Sequence, residues 1–157
     1  MGKEGKMIKK ILVPLDGSKL AECVLPHTEE LAIKINAEVV LISVTHRLQG
    51  YWPFEDLNRP HQTRLTAQAT CSMEEHAANY LNTAAKDLEE KGIKVTKEVL
   101  CGKPAQEIIF YANDNHCDLI IMSTHGRSGL SKLTHGNVAG KVLKLAPIPV
   151  TIIRPSS

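Results

Sequence analysis

The segment Ser123 to Asn137, Ser-Thr-His-Gly-Arg-Ser-Gly-Leu-Ser-Lys-Leu-Thr-His-Gly-Asn, brings glycine, hydroxyl, imidazole and cationic side chains together between two regular elements. Before it runs the apolar stretch Asp118 to Met122, and after it the helix-like stretch Val138 to Leu145. Strand, glycine-bearing loop and helix in that order present backbone N–H groups and a positive helix end to phosphate. Gly126 and Gly129 let the chain approach a ligand closely, and Gly136 does so beside the helix start. Arg127, Lys132 and Lys141 add positive charge. Glycine that merely turns the chain is the competing reading, and the spacing is neither the Walker pattern nor the dinucleotide fingerprint. His125 and His135 invite a catalytic or metal reading. No acidic partner or second ligand stands at useful spacing, so both are read as loop and helix-start surface residues. No Ser-His-Asp elbow, paired-carboxylate motif or lysine-bearing phosphate loop marks an activated nucleophile or base.

These residues need elements to position them. Lys9 to Leu15 reads as a short strand ended by Asp16-Gly17-Ser18, a tight turn whose serine can cap a helix. That helix carries Leu20, Cys23, Val24, Leu31 and Ile35, is expected to kink at Pro26, and closes at Asn36-Ala37. Glu38 to Thr45 is nearly continuously apolar, as in a parallel strand covered on both faces. From His46 to Gln62 the chain reads as a long irregular loop holding Tyr51, Trp52 and Phe54, a candidate lid or partner surface. Thr63 to Lys91 predicts a long amphipathic helix capped by Gly92. Ile93 to Cys101 predicts a third strand at a sheet edge, and Gly102-Lys103-Pro104 opens a third helix through Asn113. Asp118 to Met122 and Ile148 to Arg154 supply the last two strands. Alternation of strand and helix implies an α/β fold: a parallel sheet with right-handed crossovers and helices on both faces.

Composition narrows the classes. The 157 residues fit a single domain able to bury about two thirds of its unfolded surface, with residues 1–7 expected to be flexible. A net charge of +2, with basic residues scattered among acidic ones, gives no reason to invoke nucleic acid or an anionic membrane. Cys23, Cys71, Cys101 and Cys117 form neither a CxxC pair nor a disulfide framework. The start lacks an apolar signal region and no run is long enough to span a membrane, so a cytoplasmic address is expected.

The loop resembles the nucleotide loop of the universal stress protein family, written Gly, two residues, Gly, nine residues, Gly, then Ser or Thr. The frame falls on Ser123, Gly126, Gly136 and Asn137, so that Gly126 and Gly136 match while Ser123 and Asn137 depart. Ile11 to Ser18 is similar to the family's first strand and acidic turn, and Ala146 to Arg154 to its last strand, so the resemblance spans nearly the whole chain. It implies a five-stranded parallel sheet of order 3-2-1-4-5, an adenine nucleotide alpha-hydrolase-like fold. The first and fourth strands then lie side by side, so that Asp16 meets the glycine loop at the crevice. Residues implied at an ATP site are Pro14, Leu15 and Val44 around the base and Asp16 beside base and ribose. Met122 and Ser123 fall at the ribose edge, and Gly126 at the sugar-phosphate with His125, Arg127 and Gly129 nearby. Gly136, Asn137 and Val138 fall at the outer phosphates, with Asn137 as the helix N-cap. Asp16 is equally suited to forming the Asp-Gly turn.

From this follow an ATP-binding stress-response regulator, with Mg²⁺ as a companion ion and AMP or cyclic AMP as other ligands. A nucleotide-independent dimeric, chaperone-like module is the alternative. A slow ATP hydrolase is a further one, with no catalyst to name. Val150, Thr151, Ile152 and Ile153 form a β-prone segment that would leave a bare sheet edge. The family pairs its last strands about a two-fold axis, which implies a homodimer through this segment.

Overall fold

A computed structural model gives the fold; it describes residues 5, 7–46, 60–124 and 137–155, with 60–70 and 137 described by their backbone alone. Five strands alternate with helices: β1 (Lys10–Pro14), α1 (Lys19–Glu22), α2 (Val24–Ile35), β2 (Glu38–Thr45), α3 (Pro60–Glu90), β3 (Val95–Cys101), α4 (Pro104–Asp114), β4 (Leu119–Ser123), α5 (Asn137–Leu145) and β5 (Val150–Ile153). All pairs in the sheet are parallel and the order is β3-β2-β1-β4-β5, as the resemblance implies. β3 and β5 therefore form the two edges.

Period-two alternation sorts each central strand between two cores. Ile11, Val13, Val39, Leu41, Leu119 and Ile121 pack with α2 and with Leu81, Ala85 and Leu88 of α3. On the opposite face Leu12, Val40, Ile42, Ile120 and Met122 meet Ile108 and Ala112 of α4 and Ala139 and Val142 of α5. Both faces being covered explains why β2 reads as one apolar run.

The expected kinked first helix is two helices instead. The chain breaks at Cys23, which caps α1 and starts α2, so Pro26 falls in the first turn of α2 rather than mid-helix. There a missing N–H removes no intrahelical bond, and proline is tolerated. The irregular stretch expected through Gln62 is likewise shorter, since α3 begins at Pro60 with proline at its first position; residues 47–59 lie outside the described residues. Ile93 lies between α3 and β3, where it closes the helix instead of opening the strand. Gly92 (φ +81°) donates to Glu89 O at 3.0 Å and Ile93 to Leu88 O at 3.1 Å, a Schellman closure. His116 takes the same left-handed position after α4 at φ +53°, followed by Cys117 N–H to Ala112 O at 3.0 Å.

The sheet opens at its centre. β1 keeps to β2 as far as the bond from Leu15 N to Ile42 O (2.8 Å), and β4 keeps to β5 as far as Thr124 N to Ile153 O (3.0 Å). Between β1 and β4 the register stops at Leu12↔Ile120. Alternation along β1 explains the parting: Lys10 O accepts from Asp118 on the β4 side and Leu15 N donates on the β2 side, so position 14 should donate toward β4. Pro14 has no N–H to give.

Candidate functional site

Where β1 and β4 part, a cleft of about 730 Å³ opens across the carboxyl ends of β1, β2 and β4. This is the point at which strand order reverses, the usual ligand crevice of an open parallel sheet. Its volume lies within the range of small-molecule sites, ~300–1,000 Å³.

The walls come from both faces of the sheet. Pro14, Ile42, Val44 and Met122 line it together with Pro104 and Ile108 of α4 and Val138 and Ala139 at the start of α5. Leu15, Asp16, Gly17 and Ala21 line it near the first turn, with Ser72, Met73, His76, Ala77 and Tyr80 from α3. Ser43 and Thr45 of β2, His46, Ser123 and Thr124 complete the described lining. Ser43, Thr45, Ser123 and Thr124 are buried hydroxyl residues, which puts polar groups where an otherwise apolar sheet ends.

The Asp16 turn has defined local geometry. Asp16 Oδ1 accepts from Ser18 N at 3.0 Å and from Ser18 Oγ at 2.6 Å, while Ser18 Oγ accepts from Ala21 N at 3.1 Å and caps α1. Gly17 at φ +83° supplies the left-handed residue between them. Asp16 thus performs the turn-forming role, and the residue is also part of the cleft lining. Tyr80 stands below this turn; burial first, then the Glu22 charge and hydrogen bonding, then the Asp16 charge, push its phenol well above the ordinary tyrosine range, against a lowering contribution from Gly17 N–H.

Of the residues implied at a nucleotide site, Pro14, Leu15, Asp16, Val44, Met122, Ser123 and Val138 are brought together around this cleft. His125, Gly126, Arg127, Gly129 and Gly136 lie outside the described residues. Asn137 is the first residue of α5, and the residue before it lies outside the described residues. The α3 wall escaped sequence reasoning, although Met73, Ala77 and Tyr80 repeat at the spacing of three and four that also places Leu81 and Leu88 in the core. Among the described residues no group of three or more His, Cys, Asp or Glu side chains gathers that could hold a metal ion. No helix among them is long and apolar enough to cross a membrane.

A doubly wound parallel sheet with its crevice between β1 and β4 defines the class as an open α/β ligand-binding fold. The universal stress protein family matches residues 7–154, and the chain belongs to that family. Universal stress protein MJ0531 of Methanocaldococcus jannaschii is 33% identical over 148 residues, covering 94% of this chain and 83% of its own. Universal stress protein MJ0577 of the same organism is 30% identical over 159 residues, covering 94% of this chain and 96% of its own. The solved structure of MJ0577 superposes with a TM-score of 0.82 over 96% of this chain and 99% of that one. A universal stress protein solved in complex with cyclic AMP shares the fold at 16% identity, with a TM-score of 0.67 over 96% of this chain and all (100%) of that one.

Proposed function

We propose that this protein binds an adenine nucleotide, ATP first, in the β1/β4 cleft and acts as a stress-response regulator whose signal is the occupancy of that cleft. The observation that carries the reading is the placing of apolar strand ends, a carboxylate turn and a helix start around one cavity of nucleotide size. Pro14, Ile42, Val44 and Met122 offer the flat apolar walls that a purine requires. Asp16 offers a carboxylate to sugar hydroxyls. At the far wall the first turn of α5 reaches the cleft through Val138 and Ala139, and the N–H groups and positive dipole end of a helix start suit phosphate. Charge therefore orients the ligand: the nucleoside lies toward Asp16 and the phosphates toward α5. Cyclic AMP bound by another protein of this fold agrees with an adenine preference. Mg²⁺, where it accompanies ATP, would take its oxygens mainly from the phosphates and water.

Binding rather than turnover is assigned because the Asp16 carboxylate is engaged by Ser18, which leaves it poorly disposed to activate water. The same proposal includes a single domain, a cytoplasmic address and a homodimer. The exposed Thr151 on the β5 edge supports pairing with a second copy there. Thr151→Lys should give monomers by light scattering, and an unchanged dimer would place the interface elsewhere.

Calorimetric titration of nucleotide-stripped protein with ATP and Mg²⁺, beside AMP, cyclic AMP and GTP, tests the reading. Saturable one-to-one binding of adenine ligands, lost in Val44→Trp because the half-buried Val44 lines the base slot, is the expected result. No heat and no thermal stabilisation at millimolar nucleotide would refute it and favour the nucleotide-independent dimer.

A further inference from the structure

The cleft has two halves on opposite faces of the sheet. Ile42, Val44, Met122 and Ile108 belong to the core under α4 and α5, whereas Leu15 and Tyr80 belong to the core under α3. Alternation along β2 puts Ser43 and Thr45 on the α3 side, with Val39 and Leu41. The nucleotide reading uses the α4–α5 half and the Asp16 lip. The α3 half, floored by Leu15, Ser43 and Thr45 and walled by Met73, Ala77 and Tyr80, has no part in it.

Ser43 marks this half as a site. It is the one polar residue in the run Val39 to Val44, is 7% exposed, and lines the cleft. Its hydroxyl makes no hydrogen bond among the described residues, yet it is not among their sealed-off polar atoms, so the oxygen opens onto the cleft. Thr45 beside it already donates to Leu100 O at 3.2 Å. The Ser43 hydroxyl keeps one donor and two acceptor positions to offer a ligand. Around it Leu15 and Ala77 are aliphatic, Tyr80 brings a ring, and Met73 a thioether that packs well on aromatic groups. Asp16 on the lip opposes the entry of anions, so a phosphate has no place here. We propose that the α3 half binds a small molecule of its own: neutral, with a flat apolar ring body and one hydroxyl or carbonyl that pairs with Ser43. It needs no nucleotide in the other half.

The probe is β-naphthol, which has a flat apolar body and one hydroxyl and whose emission changes when it leaves water; naphthalene is its counterpart without the hydroxyl. The full chain should bind β-naphthol saturably and one-to-one, with or without saturating ATP. Ser43→Ala should weaken β-naphthol about three- to tenfold and leave naphthalene unchanged. Ala77→Phe, which fills the half from the α3 side, should abolish β-naphthol binding while ATP affinity stays at the wild-type value. Should that variant fail to fold, Ser43→Ala carries the test, since it removes one oxygen and keeps the packing. Absence of saturable β-naphthol binding overturns the proposal, as does equal affinity of wild-type and Ser43→Ala proteins. Full displacement of the probe by ATP also overturns it, because the probe would then occupy the nucleotide half. Protein that takes up β-naphthol as expected and no ATP would refute the nucleotide reading and uphold this one.

Discussion

Removing the Asp16 carboxylate separates its turn-forming role from its ligand role. Asp16→Ala deletes an acceptor that takes Ser18 N at 3.0 Å and Ser18 Oγ at 2.6 Å in a half-buried setting. Hydrogen bonds to a charged group contribute about 1.5–3 kcal/mol each. Both bonds here share one oxygen and water can reach part of the site, so the combined loss is set at about 2 kcal/mol. The Ser18 cap on α1 depends on the same hydroxyl, which accepts from Ala21 N at 3.1 Å, and it loosens when its anchor goes. For a domain of this size 1 kcal/mol moves the melting temperature by about 2–4 °C, so the ligand-free alanine variant should melt about 4–8 °C lower. Asp16→Asn keeps an acceptor and loses the charge, and should fall by about half as much. Circular dichroism melts of stripped protein read this directly, and titration with ATP reads the second role. If the carboxylate also holds the sugar, ATP affinity should fall about tenfold or more in the alanine variant. An alanine variant that melts with the wild type would refute the turn geometry. One that melts lower and binds ATP normally would confine Asp16 to the turn.

Two further outcomes follow from packing and charge. Iodoacetamide on native protein, followed by mass spectrometry, should modify the exposed Cys71 and spare Cys117, which is 1% exposed and whose thiol burial pushes up to about 11; early labelling of Cys117 would show that the α4–β4 packing opens locally. Glu38 bonds Lys94 Nζ at 2.8 Å and Lys10 Nζ at 3.2 Å, which hold its carboxyl below the usual range, Lys94 most strongly. A lowered folded value stabilises above the unfolded pKa of about 4.3 and loses that stabilisation as pH falls through the folded value. Glu38→Gln should therefore flatten the decline in urea-measured stability between about pH 5 and 3, by roughly 0.5 kcal/mol for an ion cluster at the surface; a decline as steep as in the wild type would assign the acid sensitivity to other carboxylates.

The element order was legible because strands covered on both faces and helices carry different periods. Val39 to Ile42 reads as buried on both sides and is, and Gly92 marks the end of α3 with a left-handed residue. Pro26 misled because proline in an apolar helical pattern reads as a kink; the break at Cys23 that moves it into a first turn leaves no mark on composition. Adjacency of β1 and β4 was legible only through family resemblance, since pairing between strands about a hundred residues apart has no local signal. The Tyr80 wall was hidden for a related reason. A tyrosine one residue before a core leucine continues the apolar stripe, and nothing in the one-dimensional pattern shows that its hydroxyl ends beneath a turn some sixty residues earlier.

What makes a ligand site out of this sheet is the same residue that limits it. Pro14 continues the backbone direction of β1 and its contact with β2, yet withholds the donor that would have joined β4. The two halves of the sheet remain individually paired, β1 with β2 through Leu15 and β4 with β5 through Thr124. The opening thus requires no strained backbone and no loss of core, because Leu12 and Ile120, the last joined pair, stay fully buried. Past Leu15 and Met122 the side chains change from apolar to carboxylate and hydroxyl, with Asp16 on one lip and Ser123 and Thr124 on the other. Apolar walls below and polar lips above are the division that a purine nucleoside needs, and the start of α5 lies across the gap on the side where phosphate would emerge.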